Sequence, residues 1–165
     1  MIEHIRTLLL RDLEGLRREL VLYPDDETLW ATLPGFPNRG GTLALHLAGN
    51  LRHFVGAQLG GSGYIRRREE EFSRRGVSRR ELVEEIDRTS RDVAAALDKL
   101  DLARLDEPFN LPTGEEVPTA LFLIHLAGHL TFHLGQIDYH RRAITGDPTS
   151  AGLIPLAGLA GGGRK

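Results

Sequence analysis

Apolar residues recur every three to four positions along four stretches of this chain, which is the period of an amphipathic α-helix. The stretches cover about residues 2–22, 42–60, 79–99 and 118–145. Thr42 is a suitable N-cap for the second stretch, Ser78-Arg-Arg-Glu81 is a capping-box sequence before the third, and Gly146 ends the fourth. Four such helices joined by two longer connections predict an all-α four-helix bundle.

The segments between and after these helices differ in composition. The connection 24–41 is rich in Pro and Gly, and its length predicts that it packs on the bundle or lines a site. Residues 62–76 include three consecutive arginines beside three consecutive glutamates, typical of a solvated, self-paired helix or loop, with an anion site as the less favoured alternative. Residues 108–117 predict another loop. We expect one bundle domain over 1–148 and a partly ordered or flexible tail over 149–165.

Composition narrows the class of protein. The 165 residues fit one domain, and 21 Lys plus Arg against 23 Asp plus Glu give a formal net charge of −2, so no basic excess favours a nucleic-acid partner. The chain has no cysteine, which excludes disulfides, thiolate ligands and a cysteine nucleophile. Without a signal-peptide pattern or an uninterrupted apolar stretch, we expect a cytoplasmic protein that does not enter a membrane.

Polar residues of the fourth helix recur at spacings of four, four, three and four: His125, His129, His133, Gln136 and His140. Residues three or four apart share one face of a helix, so these side chains form one stripe. The same face carries Phe122, Leu126, Leu130, Ile137 and Ile144. We therefore predict that it points into the core, where an unpaired imidazole costs roughly 1–3 kcal/mol. A metal ion can satisfy several imidazoles at once, and an i, i+4 histidine pair is a common chelating arrangement.

The second predicted helix supplies further candidate ligands. His46, Asn50 and His53 lie within about 60° of one another on one edge of that helix. Three imidazole ligands leave a coordination position open, as in catalytic sites, whereas a fourth ligand, His125 or His53, would close a structural site. Asn50, His53 and Gln136 are candidates to orient a ligand or a bound water.

The remaining polar residues near the stripe carry weaker expectations. His140 lies one turn further along the stripe, in the pocket or in the core, and Asp138 lies off this face, solvated or between helices. His4 is expected to be exposed. The spacing places no carboxylate as a general base, so a metal-bound water or a cosubstrate would have to do that work.

The sequence His129-x-x-x-His133-x-Gly-Gln136-Ile, with His46-Leu-Ala-Gly-Asn50 upstream, resembles the DinB-like superfamily of metal-binding four-helix bundles. The resemblance implies a metal triad of His46, His129 and His133, a bundle with long crossover connections, and a divalent ion, commonly zinc or nickel. Members of this superfamily are often homodimers. They include thiol-dependent transferases that use mycothiol or bacillithiol, maleylpyruvate isomerase-like enzymes and metal-dependent hydrolases.

Two functional hypotheses follow. The first is a metal-dependent enzyme, of the thiol-dependent S-transferase or hydrolase kind, that acts on a small-molecule substrate. An open three-histidine ion can polarise a carbonyl, acidify a bound water or hold a thiolate, and the thiol would be an external low-molecular-weight compound because the chain has no cysteine. The second is a metal-stabilised binding or stress-response protein without catalysis. The apolar face of the first helix and the tail sequence 153–156 also suggest a homodimer.

Overall fold

The structure, a computed structural model, describes residues 1–156 and is mostly helical. The long elements are α1 (Ile2–Val21), α3 (Gly40–Leu51) with its π-helical continuation Arg52–Leu59, α5 (Arg79–Asp98) and α6 (Thr119–Thr145). The short ones are α2 (Asp26–Trp30), α4 (Arg68–Ser73), a 3₁₀ turn (Leu102–Leu105), β1 (Pro108–Asn110) and β2 (Glu116–Pro118). The prediction of an all-α bundle is confirmed. The domain boundary at 148 stays a prediction, and residues 157–165 of the predicted tail lie outside the described residues.

Helix α1 forms the centre of the core. Its apolar positions, spaced three or four apart, are fully buried against α5 and α6: Leu9, Leu13, Leu16 and Leu20. The capping box predicted before α5 is present, because the Ser78 hydroxyl accepts from the Glu81 backbone N–H while the Glu81 side chain accepts from the Ser78 N–H. The left-handed Gly146, with φ of 68°, ends α6 as predicted.

Helix α3 begins earlier than the sequence predicted, so Thr42 is not the N-cap. The N-cap position is Arg39, and the helix starts with two glycines that pack on aromatic side chains. A Cβ at Gly40 would overlap the Tyr23 ring, and a Cβ at Gly41 would overlap the Trp30 ring. Close aromatic packing therefore explains glycine at the start of this helix, where propensity alone disfavours it.

The connections also differ from their predictions in part. The segment 24–41 packs on the bundle, where the Trp30 indole N–H donates to the Val77 carbonyl at 2.8 Å. The predicted loop 108–117 instead contains the hairpin β1–β2, with Phe109 opposite Val117. Phe109 is buried and stacks on Phe122 of α6 at 4.3 Å between ring centroids, so packing fixes a strand that the short sequence pattern does not signal.

Helix α6 is long and apolar enough, by length and composition alone, to cross a membrane, a property that the sequence analysis did not assign to it. The core helix of a soluble protein passes the same test, and α6 packs against α1 and α3. Only 33% of its most apolar stretch is buried. This helix therefore has one face in the bundle and another that the described part of the chain leaves open.

Candidate metal centre

Three histidines from two helices meet at one point. His46 comes from α3, and His129 and His133 come from α6. Each offers a ring nitrogen, and the three nitrogens lie within 4.8 Å of one another. Nε2 of His46 lies 3.2 Å from Nε2 of His129, and the rings of His129 and His133 are 4.5 Å apart between centroids. The structure thus brings together the three residues that the resemblance implied.

The histidine stripe lies beside the core rather than in it. His129 and His133 are half-buried, His125 and Gln136 are exposed, and only His140 is buried. Four of the buried apolar residues on α6 each follow a stripe position by one: Leu126, Leu130, Leu134 and Ile137. One residue is a rotation of about 100° on a helix. The prediction that the stripe faces the core is therefore wrong, and this offset is what leaves the triad reachable from solvent.

The two candidates for a fourth ligand lie outside the cluster. His125 is exposed, and its ring centroid is 6.2 Å from that of His129. His53 lies in the π-helical segment that continues α3, and its Nε2 is 3.0 Å from the Gln58 side-chain nitrogen. Asn50 is buried, and its Oδ1 has no hydrogen-bond partner among the described residues. The described residues therefore give a three-histidine group, without a fourth protein ligand in it.

Gln136 contacts the triad directly. Its Oε1 lies 2.6 Å from Nδ1 of His133, so this imidazole nitrogen donates and the other one, Nε2, keeps a lone pair. The stripe spacing pointed to this residue, because position 136 follows 133 by three on the same helix. Gln136 therefore fixes which nitrogen of His133 is free to bind an ion.

Two residues that the sequence reasoning missed contact His46. Glu71 of α4 accepts from Nδ1 of His46 at 3.0 Å, and Arg66 holds the same carboxylate through hydrogen bonds of 2.7 and 2.9 Å. Both belong to residues 62–76, here called the Arg/Glu block, whose composition predicted a solvated segment. Glu71 is only 6% exposed, so that prediction is wrong for this residue. No periodicity in the block distinguishes Glu71 from its neighbours, so this contact was not predictable from spacing.

The electrostatics favour the neutral imidazole at His129 and His133. Burial lowers the pKa of His129 to about 4, with further lowering by the neighbouring histidines. Burial also lowers the pKa of His133, and the hydrogen bond that its ring donates to Gln136 only partly offsets this lowering. Burial alone would raise the pKa of the Glu71 carboxyl, but hydrogen bonds from Arg66 and His46 hold it below its usual range. Neutral imidazoles are the form that binds metal.

The donor set fits a divalent metal ion. The carboxylate of Glu71 can only accept, so Nδ1 of His46 carries the proton and Nε2 presents a lone pair towards His129. Two nitrogens bound at 2.0–2.1 Å to one tetrahedral ion are about 3.3 Å apart. The separation of 3.2 Å between the Nε2 atoms of His46 and His129 matches that value. Three imidazoles, with the rings of His46 and His133 oriented by Glu71 and Gln136, are a ligand set typical of an open zinc-type site.

An apolar pocket adjoins the triad at Gln136. Its volume is about 440 Å³, within the range of small-molecule sites. The wall combines the connection after α2, the first turn of α3 and one side of α6: Phe36, Pro37, Leu43, Phe132, Gln136 and Tyr139. The 24–41 connection therefore does both things that the sequence predicted as alternatives: it packs on the bundle, and it lines this pocket.

The remaining predicted positions lie away from the triad. His140 is buried in the core, with hydrogen bonds to the Tyr23 hydroxyl and the Ala31 carbonyl. Asp138 is buried rather than solvated, and its carboxylate pairs with Arg142 of the same helix at 2.9 Å. His4 is exposed.

Comparison with known proteins bears on this geometry. A search of curated proteins and a search of solved structures each gave no match. A model of the DinB superfamily matches residues 2–137, which include α1, the His46 segment of α3, the Arg/Glu block and both triad positions of α6. The match covers most of the chain, and proteins of this superfamily bind metals. The chain therefore belongs to the DinB superfamily.

Proposed function

We propose that this protein is a divalent-metal enzyme, with zinc or nickel at His46, His129 and His133, that joins an external thiol to a small apolar substrate. The observation that carries the proposal is the position of the open triad beside an apolar pocket, with Gln136 in contact with both. A purely structural ion would need no such pocket and usually has four protein ligands.

The three histidines would hold the ion, and two neighbouring residues orient their rings. Glu71 and Gln136 fix the rings of His46 and His133 so that Nε2 of each is free. A bound ion supplies Lewis-acid chemistry, which lowers the pKa of a bound thiol or water and polarises a carbonyl. The half-buried position of His129 and His133 leaves one side of the site accessible to a second molecule.

A thiol suits this site better than water as the nucleophile. Glu71 is the carboxylate that contacts the triad, but it already accepts from Arg66 and His46, which makes it a poor proton acceptor. A nucleophile that ionises near neutral pH reduces the need for a base, and a free thiol has a pKa of about 8.5. The chain has no cysteine, so the thiol is an external low-molecular-weight compound.

The pocket suits an apolar substrate with a flat body. Three aromatic side chains line it, Phe36, Phe132 and Tyr139, and Phe132 is 63% exposed. Aromatic walls favour stacking and exclude water from a bound ring. We infer that the substrate lies here with its electrophilic carbon towards Gln136. In a displacement the thiolate sulfur would form a bond to that carbon while the leaving group departs with the bonding electron pair; in an addition the π electron pair would move to the neighbouring substrate atom. In either case the proton lost by the thiol would pass to the group that gains the electron pair or to solvent.

Cobalt-substituted protein tests the thiol. Adding bacillithiol, mycothiol or 2-mercaptoethanol should produce a sulfur-to-cobalt charge-transfer band, because the thiolate occupies the open coordination position. His133→Ala should lose the band together with the metal, whereas His4→Ala at the exposed end of α1 should keep both. A cobalt spectrum that no thiol changes would contradict the transferase and favour hydrolysis or a structural ion.

The pocket has its own test, with a matched control on the same helix. Gly135 lines the pocket, and nothing lies within 4 Å of a Cβ placed there, so Gly135→Leu should fill the pocket without a clash. Gly128 also has open space around it but does not line the pocket. We expect Gly135→Leu to raise KM at least tenfold for any substrate found by screening, with the cobalt–thiolate band retained. Equal effects of Gly128→Leu would show that the pocket is not the substrate site.

We also propose that the protein is a homodimer. Of the two surfaces that the sequence suggested, the apolar face of α1 is buried in its own core and Leu153 of the tail packs on that core, whereas Ile154 and Leu156 of the tail are more than half exposed. Large apolar side chains more than half exposed also follow one side of α6: Leu121, Ile124, Phe132 and Tyr139. A second copy packed along this side would cover them and close the open side of the pocket.

Light scattering at micromolar concentration tests the dimer. The expected result is twice the mass of one chain, and Leu121→Glu combined with Ile124→Glu should give the single-chain mass, because charges on this face oppose its burial. A single-chain mass for the wild-type protein would contradict the proposal.

A further inference from the structure

The Arg/Glu block contains two ion pairs of the same residue types with opposite environments. Arg67 and Glu70 pair at 3.1 Å with side chains 74% and 49% exposed. Arg66 and Glu71 pair at 2.7 Å with side chains 11% and 7% exposed. An exposed pair contributes little to stability, whereas desolvating a pair needs further hydrogen bonds to compensate. For Glu71 that further hydrogen bond comes from His46.

A glycine of α3 makes the approach of Glu71 possible. Gly49 lies in the helix interior, where glycine is a poor helix former. A Cβ at this position would overlap the Glu71 carboxylate. The sequence His-Leu-Ala-Gly occurs again in α6, where nothing lies within 4 Å of a Cβ placed on Gly128. The two glycines therefore share a sequence context, but only Gly49 leaves space that another side chain occupies.

The position of Glu71 determines which nitrogen of His46 is free. Nδ1 of His46 lies 3.0 Å from the Glu71 carboxylate, which can only accept, and 3.5 Å from Nη2 of Arg66, which can only donate. Arg66 Nη2 donates to Glu71 at the shorter distance of 2.9 Å, so the contact with Glu71 is the one that keeps the proton on Nδ1. Nε2 then presents its lone pair to the point shared with His129 and His133. Arg66 holds both carboxylate oxygens, so the carboxylate keeps one orientation and its charge.

We propose that Glu71 is a positioning residue of the metal centre, held by Arg66 in the space that Gly49 leaves, and that it sets the orientation and proton position of the His46 ring. The inference rests on the proposed metal binding. It assigns a role to the Arg/Glu block, whose composition alone indicated a solvated segment. Carboxylates that hold a ligand histidine in this way affect metal affinity by about 10–100-fold.

Metal affinity of Glu71→Gln tests the proposal, with Glu70→Gln as the matched control one residue away. Competition with a coloured chelator should show Zn²⁺ bound about 10–100-fold more weakly by Glu71→Gln, because the amide removes the charge that holds Nδ1–H. Glu70→Gln should bind Zn²⁺ within about twofold of wild type, since an exposed pair contributes little. Wild-type affinity in folded Glu71→Gln would overturn the proposal.

Gly49→Ala is a second variant that keeps every polar group. The added methyl displaces the Glu71 carboxylate, so affinity for Zn²⁺ should fall by a similar factor even though alanine is the better helix former. Gly128→Ala, in the same His-Leu-Ala-Gly context, should leave the affinity unchanged. If Gly49→Ala binds Zn²⁺ as tightly as Gly128→Ala, the displacement of Glu71 does not matter and the proposal fails.

The tautomer of His46 gives a measurement that needs no metal. Imidazole ¹⁵N shifts of the metal-free protein should show the proton of His46 on Nδ1 in the wild type, and a mixture with the Nε2 tautomer in Glu71→Gln and Gly49→Ala. A role of Glu71 in fold stability alone would lower the melting temperature without changing the tautomer, so an unchanged tautomer in both variants contradicts the inference. If wild-type protein binds no metal, the proposed function fails, while the tautomer still reports whether Glu71 controls the His46 ring.

Discussion

Two histidine sites on helix α6 use the same residue type in opposite ways. At the triad, Nε2 of His46 faces Nε2 of His129 at 3.2 Å, and Nε2 of His133 is left free by Gln136. Two turns further along, both ring nitrogens of His140 have protein partners: Nε2 donates to the Ala31 carbonyl at 3.0 Å, and Nδ1 pairs with the Tyr23 hydroxyl at 2.8 Å.

The partners determine the role of each ring. A carbonyl only accepts, so His140 carries its proton on Nε2, and its Nδ1 accepts from Tyr23. No lone pair of that imidazole remains for a metal, and the residue is part of the core. Two of the triad rings are held through one nitrogen each, by Glu71 at His46 and by Gln136 at His133, so the other nitrogen of each remains a ligand. Histidine spacing on a helix is the same in both cases, and the hydrogen-bond partner distinguishes them.

The largest expected difference between the two sites is in metal binding. Protein purified without chelator should contain about one equivalent of divalent metal per chain, because three imidazoles bind zinc or nickel well. His129→Ala or His133→Ala should lose it entirely, measured by plasma emission spectroscopy. His140→Gln should keep the full equivalent, because neither nitrogen of His140 is available to an ion.

The double variant His46→Ala, His129→Ala is the clearest test of whether the ion lies at the triad. Full metal content in that protein would mean that the ion lies elsewhere. Loss of metal in His140→Gln, with the fold intact by circular dichroism, would mean that the contrast between the two sites is wrong.

The second difference is in the stability of the metal-free protein. His140→Ala removes a fully buried ring and leaves the Ala31 carbonyl without its partner, whereas the Tyr23 hydroxyl can still donate to the Ile137 carbonyl at 3.2 Å. An unsatisfied group costs roughly 1–3 kcal/mol, and the lost packing of the ring adds to that. We expect the free energy of unfolding in urea to fall by about 3 kcal/mol. His133→Ala removes a half-buried ring and should cost less than about 1 kcal/mol. Equal losses in the two variants would contradict the assignment of His140 to the core.

Repeating patterns predicted much of this molecule. Periodicity placed the four long helices within a few residues, and the capping box before α5 and the glycine after α6 were read from local sequence alone. The spacing of His129 and His133 indicated a chelating pair, because residues four apart share one face of a helix. The resemblance to the DinB-like superfamily, rather than spacing, implied His46 as the third member of the triad.

Contacts between distant segments were not predictable in the same way. Glu71 reaches His46 only because α4 folds back over α3 at Gly49, and the sequence of the Arg/Glu block has no period that selects one glutamate of three. The start of α3 depends on Tyr23 and Trp30 packing against two glycines. The stripe was placed in the core because apolar and histidine positions were assigned to one face, although they differ by one residue.

The third prediction concerns the ion as a crosslink between α3 and α6. An ion bound only by the folded chain stabilises it by RT ln(1 + [L]/Kd), about 2.7 kcal/mol at a concentration of 100 Kd. With roughly 2–4 °C per kcal/mol for a chain of this size, chelator should lower the melting temperature by about 5–10 °C, and zinc should restore it. His140→Gln should melt lower but show the same chelator shift. An unchanged melting curve after verified metal removal would show that the site does not couple the helices.

The smallest expected effect is the pH dependence of the free energy of unfolding of the metal-free protein, to which both histidine sites contribute. Burial lowers the pKa of His140 and brings the pKa of His129 to about 4, against about 6.5 in the unfolded chain. The unfolded state therefore takes up protons first, and stability must decrease as pH falls from about 6.5 towards 4. One pKa unit corresponds to about 1.4 kcal/mol, and His129 is partly solvated, so we expect a loss of about 1–2 kcal/mol between pH 7 and pH 5.

Urea unfolding of the metal-free variants separates the two contributions. His129→Gln and His140→Gln should each have a smaller pH dependence than wild type, because glutamine does not titrate in this range. Adding Zn²⁺ should steepen the dependence of the wild type, since protons then compete with the ion for the triad, but should leave His129→Gln unaffected. Stability that rises as pH falls from 6.5 would contradict the neutral state assigned to both sites, because it would require imidazoles that are protonated more readily in the folded protein.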